Sequence, residues 1–184
     1  MGPHNKNCED FFISVRFIKN DLMKKEQYSF QFEVYDSIND LSKEDANLLK
    51  QSREITTTAY APYSNFFVGA AALLSNGEIV KGTNQENASF PVGICAERSL
   101  LSSTAALFPA ANILTMAISY QNKNGTSKTP VSPCGMCRQA LLEHERRYDH
   151  PIKLILSGSE GMVYVIESSS LLLPLSFTSD DLRK

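Results

Sequence analysis

The stretch Phe66-Phe67-Val68-Gly69-Ala70-Ala71-Ala72-Leu73-Leu74-Ser75-Asn76-Gly77-Glu78-Ile79-Val80-Lys81-Gly82-Thr83 decides the fold. Residues 66–74 are an apolar run, residues 78–83 resume as a second strand, and Asn76-Gly77 stands between them. An Asn-Gly pair in that position is the strongest short-range hairpin signal, because both turn positions need positive φ. The Gly and Ala residues of the first run imply a strand with a helix packed close against it. Upstream, residues 40–59 read as a helix: Leu41, Ala46, Leu48, Leu49 and Ile55 sit near helical spacing, Ser42 with Asp45 resembles a capping box in which Asp replaces Glu, and Pro62 stops it. Further upstream, residues 11–19 (Phe11, Ile13, Val15, Phe17) and 28–35 (Phe30, Phe32, Val34) alternate as strands do, with Lys24, Lys25 and Glu26 between them, a candidate hairpin.

Downstream, residues 95–108 read as a helix ending before Pro109, 114–120 as a buried strand and 121–129 as a polar loop. Residues 134–148 read as a helix with Pro133 at its start, the place for a first-turn proline. Strands at 152–156 and 162–166 flank a turn at 158–161. Helices alternating with strands point to an α/β fold, a three-layer α/β/α sandwich.

The composition narrows the function classes. The 184 residues are 42% hydrophobic and 21% charged, enough apolar material for a core with a radius of gyration of roughly 16 Å. Eighteen Lys and Arg against 20 Asp and Glu give a net charge of −2, which disfavours general nucleic-acid binding. No run reaches the ~18 apolar residues of a spanning helix, and the polar first ten residues lack the apolar region of a secretory signal. The expectation is a soluble, cytoplasmic protein without nucleic-acid or membrane partners.

The cysteines are Cys8, Cys95, Cys134 and Cys137. A chain of this size does not need disulfide staples, and without an export signal the pattern favours metal or catalytic use. Cys95-Ala96-Glu97-Arg98 and Pro133-Cys134-Gly135-Met136-Cys137-Arg138 each open an expected helix. On a first turn Cys134 and Cys137 share one face, and Cys95 from a second helix start would complete a three-thiolate zinc site. Helix N-termini favour the ionised thiols. Three thiolates around a divalent ion leave surplus negative charge, which the two helix dipoles with Arg98 and Arg138 offset. Cys8 lies in a polar terminus, and His144 and His150 lie too far along the second helix to supply a fourth ligand. The fourth position is then open, as in catalytic zinc sites, with Glu97 placed to move a proton to or from a water held there. Taken alone, Glu97 reads better as a solvated first-turn carboxylate favouring the helix dipole; beside three zinc-ligand cysteines the proton-moving role is the stronger reading.

These segments resemble the zinc-dependent cytidine deaminases, and more specifically the small free-nucleoside type. The resemblance extends through Ala61-Pro62-Tyr63-Ser64-Asn65-Phe66, Val68-Gly69-Ala70-Ala71, Asn84-Gln85-Glu86-Asn87-Ala88, Leu172-Leu173-Pro174 and Phe177, from about residue 40 to the C-terminus. It implies a five-stranded mixed sheet, residues 39–184 as the catalytic domain and residues 1–38 as an N-terminal extension. It also implies hydrolytic deamination of cytidine and 2′-deoxycytidine in pyrimidine salvage, and a homotetramer whose neighbouring subunits complete each site. By the same resemblance Cys95, Cys134 and Cys137 hold Zn²⁺, Glu97 shuttles protons and Arg98 moderates the thiolate charge. Asn84 and Glu86 grip the ribose, Phe66 packs on the pyrimidine, Ala96 lines the substrate, and Phe177 comes from another subunit. The loop Ser89-Phe90-Pro91 departs from many relatives, which carry tyrosine at position 90. Two competing expectations are a blasticidin S-type nucleoside deaminase and a non-catalytic zinc-binding interaction protein.

Overall fold

The computed structural model describes residues 23–183. Cys8 and the expected strand at 11–19 lie outside the described residues.

Among the described residues, six strands form one sheet in the order β1-β6-β5-β4-β2-β3. They are β1 (Glu33–Tyr35), β2 (Phe66–Leu74), β3 (Ile79–Thr83), β4 (Ile113–Asn122), β5 (Lys153–Ser157) and β6 (Val163–Ile166). Three helices flank it: α1 (Lys43–Ile55), α2 (Ala96–Leu107) and α3 (Gly135–Tyr148). Among these six strands only β4 and β5 pair in parallel, joined through α3, so the sheet is mixed. The sheet has six strands rather than the five expected from the resemblance. The extra one is β1, three residues paired antiparallel to β6; residues 28–32, expected to belong to it, are exposed and form no ladder.

Alternation along the strands sorts the side chains into two cores. Ala70, Ala72, Met116, Ile118, Leu154 and Leu156 pack with Ala96, Leu100 and Leu141 of α2 and α3. Ala71, Ala117, Ile155, Val163 and Val165 pack on the opposite face with Leu48 and Leu49 of α1. This is the expected three-layer sandwich, with α1 on one face and α2 and α3 on the other.

Two glycines set how closely the helices approach. A Cβ on Gly69 would lie 2.3 Å from the Ser52 carbonyl oxygen of α1, and one on Gly82 would lie 2.5 Å from the Ala96 carbonyl oxygen of α2. The close-packed helix inferred from the small residues of 66–74 is therefore α1. The hairpin turns at Asn76-Gly77, where Gly77 has φ +86°.

Helix boundaries follow local capping. Ser42 Oγ accepts from the Asp45 amide and starts α1. The reciprocal capping box lies one turn earlier, at Ser37 and Asp40, and encloses a separate 3-10 turn, Ile38–Asp40. The expected helix at 40–59 is thus three pieces, the last being a 3-10 turn at Thr56–Thr58. Pro133 is not in the first turn of α3, because the N-cap is Cys134 and the proline stands one residue outside it.

Candidate functional site

Strands β3 and β4 both pair antiparallel with β2, so they run parallel to each other. The helices that follow them, α2 and α3, therefore start at the same end of the sheet. Cys95 is the N-cap of α2 and Cys134 the N-cap of α3, with Cys137 in the first turn of α3. Chain topology thus delivers three thiols to one point.

The three Sγ atoms lie within 4.8 Å of one another. Cys95 and Cys134 are 3.8 Å apart, Cys134 and Cys137 3.5 Å apart, and all three are free thiols. Zinc bonds of about 2.3 Å at tetrahedral angles require sulfurs about 3.8 Å apart, so this donor set fits the ion. No histidine or carboxylate joins the cluster among the described residues. His144 is buried on α3, its ring tilted 40° against that of Tyr148 with centroids 4.6 Å apart.

The electrostatics favour thiolate formation. The Cys95 thiol is lowered to about 6, chiefly by the hydrogen bond from Cys137, with Cys134 and the positive charge of Arg98 adding and burial and Glu97 opposing. The donor, Cys137, is pushed up by that same bond and by burial. Binding of a cation to these thiols releases their protons. Arg138 contributes differently from the expectation. Its guanidinium donates to the carbonyls of Pro133, at 2.8 Å, and Leu172, at 3.0 Å, so it braces the ligand loop rather than facing the sulfurs. Arg98 does act on Cys95 and lies along the outer groove between α2 and α3.

Glu97 is only 5% exposed and lines the cavity beside the cluster. Burial raises its carboxyl above the ordinary range, partly offset by hydrogen bonds from its own amide and Cys137. A buried first-turn carboxylate facing a pocket does not fit the solvated alternative.

A cavity of about 570 Å³ opens over the cluster, large enough for a small organic ligand. Phe66, Asn84, Glu86, Cys95, Ala96 and Glu97 all line it, together with Cys134. Phe66 stacks on Tyr120 with ring centroids 4.8 Å apart and an interplanar angle of 14°. That contact holds the ring upright at the start of β2. Asn84 accepts from the Val68 amide at 2.8 Å and donates to the Phe66 carbonyl at 2.9 Å, which leaves one amide hydrogen and one lone pair for a ligand. Glu86 Oε2 accepts from the amides of Tyr63 at 2.9 Å and Ser64 at 3.3 Å. Burial pushes its carboxyl up, but the Ser64 side chain and these amides outweigh it and hold the group below its usual value. The segment 61–66 thus serves as the support of Glu86.

Phe177 is not brought to this cavity. It is 59% exposed on the C-terminal tail. Sequence reasoning missed Val131, Ser132 and Met136, which line the cavity around the second ligand pair. Met136 is 62% exposed between Cys134 and Cys137; its place inside the ligand spacing was the available signal. Phe90 also lines the cavity and meets Tyr63 edge-on at 5.8 Å.

Comparisons with known proteins identify the family. Residues 42–148 match the family model described as the cytidine and deoxycytidylate deaminase zinc-binding region. The cytidine deaminase of Halalkalibacterium halodurans is 36% identical over 141 residues, covering 74% of this chain and 96% of the relative. That of Mycobacterium tuberculosis is 36% identical over 144 residues, covering 76% of this chain and 95% of the relative. The crystal structure of cytidine deaminase from Burkholderia pseudomallei superposes with a TM-score of 0.62 at 32% identity, covering 74% of this chain and all of that one (100%).

Proposed function

The chain belongs to the family defined by the cytidine and deoxycytidylate deaminase zinc-binding region, and we propose that it hydrolyses the 4-amino group of cytidine and 2′-deoxycytidine, giving uridine and 2′-deoxyuridine plus ammonia. The observation that carries this reading is the trio Cys95, Cys134 and Cys137, closed to within 4.8 Å without a fourth protein donor among the described residues, with buried Glu97 beside it in the same cavity.

Cys95, Cys134 and Cys137 would hold the zinc ion, which would supply Lewis acidity and lower the pKa of a water toward neutrality. The chain's own groups do the rest. Glu97 takes a proton from the attacking water and gives it to N3 of the pyrimidine as C4 becomes tetrahedral, then takes the proton of the new C4 hydroxyl and passes it to the amine, which leaves as ammonia as the C4 carbonyl forms. Its burial keeps bulk water from competing for those transfers. Phe66, fixed by Tyr120, packs against the base. The Glu86 carboxylate and the spare donor and acceptor of Asn84 engage the ribose hydroxyls, where an unpaired polar group would be costly. Ala96 is fully buried and presents only a methyl group, leaving room for the base.

Residues 39–184 form the catalytic unit in this reading. Residues 1–38 are an extension that includes β1, the strand at the sheet edge beside β6. The enzyme is a homotetramer in which Phe177 reaches the pocket of a neighbouring copy; its exposure on the tail supports this. No helix among the described residues is long and apolar enough to cross a membrane, and we place the enzyme in the cytoplasm.

Zinc analysis combined with ammonia release tests the reading. The zinc-loaded protein is expected to deaminate cytidine, and Glu97→Gln to keep its zinc while losing at least about 100-fold in kcat. Turnover of blasticidin S without turnover of cytidine, or near-normal turnover by Glu97→Gln, overturns it.

A further inference from the structure

Helix α3 carries two of the three thiols at its start, Cys134 as N-cap and Cys137 in the first turn, and along its length it also grips the C-terminal tail. Four polar side chains do so as two pairs one heptad apart. Arg138 donates to the Leu172 carbonyl, while Glu145 accepts from Ser168 Oγ and from both the amide and hydroxyl of Ser169, the latter two at 2.8 Å. Gln139 donates Nε2 to the Phe177 carbonyl at 3.0 Å, while Arg146 pairs with Asp180. Residues 168–172 therefore run toward the first turn of α3, residues 173–176 bend, and residues 177–180 run back along the helix. At the bend Leu175 has φ +54° and its side chain is fully exposed. A leucine seldom adopts that conformation, so the bonds on either side of the bend, not local preference, hold it.

The Phe177 carbonyl is exposed, and water would satisfy it equally well. The bond from Gln139 is thus not needed to relieve a buried acceptor. What it does is fix the backbone that carries an exposed aromatic ring. A ring on a free tail loses conformational entropy each time it covers a ligand; a ring already fixed does not. We propose that Gln139 is a positioning residue, holding Phe177 ordered for the pyrimidine pocket of a second copy while Arg138 ties the same bend to the loop leading into Cys134. The proposal rests on the reading above in which Phe177 contacts the nucleoside of a neighbouring subunit.

The test compares Gln139→Leu, Gln139→Lys, Phe177→Leu and the double variant Gln139→Leu/Phe177→Leu. Zinc content and oligomeric state are measured alongside kcat, KM and the calorimetric affinity for uridine. Gln139→Leu is expected to raise KM and the uridine Kd by about fivefold, the effect of one lost hydrogen bond, with kcat within about twofold and zinc content unchanged. Gln139→Lys, which keeps a donor, restores KM. The double variant is no worse than Phe177→Leu alone, because the two residues act as one unit. Additive effects in the double variant, a wild-type KM for Gln139→Leu, or a loss confined to kcat or zinc content would overturn the proposal. A wild-type enzyme inactive on cytidine, or a Phe177→Leu variant with unchanged KM, removes the underlying reading and the proposal with it.

Discussion

Gly82→Ala is expected to damage both stability and catalysis, although Gly82 touches neither metal nor substrate. Gly82 lies on β3, opposite Ala70, on the face that carries α2. An alanine Cβ there would lie 2.5 Å from the Ala96 carbonyl oxygen, 2.7 Å from the Leu100 amide nitrogen and 2.9 Å from Leu100 Cβ. Two of these neighbours are backbone atoms of α2 and cannot rotate away. Restoring ordinary contact near 3.4 Å moves the first turn of α2 outward by about 0.9 Å, and overpacking of this kind costs about 1–3 kcal/mol. The displaced turn begins at Cys95 and contains Glu97. Metal ligands tolerate deviations of about 0.2 Å, and a misplacement of about 1 Å costs on the order of 100-fold in rate. Urea denaturation of the zinc-loaded protein, zinc stoichiometry after dialysis and kcat/KM for cytidine are the measurements. A Gly82→Ala protein with wild-type stability, full zinc and undiminished kcat/KM would refute the argument that this strand glycine sets the position of the ligand helix.

Other consequences follow from the same coordinates. Stripping zinc with a chelator should lower Tm by about 10 °C and readdition should restore it, since a ligand held by the native fold alone stabilises it by mass action; thermal denaturation with and without zinc checks this. Glu145→Leu removes the carboxylate that accepts from the buried Ile152 and Ser169 amides, and should cost about 2–4 kcal/mol in chemical denaturation. His144, lowered to about 4 by burial first and by Arg147 second, with Glu145 opposing, gives a pH dependence of known sign. The unfolded chain binds a proton below 6.5 that the native ring refuses until about 4, so stability is complete above the upper value and falls as pH drops between the two. Discounted for solvent near the ring, wild type should lose about 1–2 kcal/mol more than His144→Phe across that window, read from paired urea titrations.

Local signals in the sequence were strong where the physics is local. Asn76-Gly77 marks the hairpin because the turn constrains φ, and the small residues of 66–74 mark a strand with a helix packed close against it. Cys95, Cys134 and Cys137 were legible because a chelate needs a helical spacing and helix starts. What was not legible is held by contacts distant in the chain. β1 is three residues long and gains its register only from β6, so nothing in residues 28–35 distinguished the part that pairs. Arg138 stands beside a ligand in sequence, yet the Pro133 and Leu172 carbonyls turn it into a brace. The close approach at Gly82 depends on where α2 lands, which β3 alone does not reveal.

The placement of the chemistry follows from strand direction. With β2 between them, β3 and β4 run the same way, so each delivers the start of its helix to one end of the sheet. Strand β2 runs the other way, so its first residue, Phe66, falls at that same end, opposite Asn122 at the finish of β4. Asn84 follows the last residue of β3 and returns its side chain to Phe66 and Val68. The thiols, the carboxylate, the aromatic ring and the polar pair therefore meet without any long excursion of the chain. A one-residue slip of β2 against β4 would exchange its two faces, burying Gly69 toward α2 and Ala70 toward α1, where a Cβ has no space beside the Ser52 carbonyl. The small residues of β2 thus fix the register, and the register places the site.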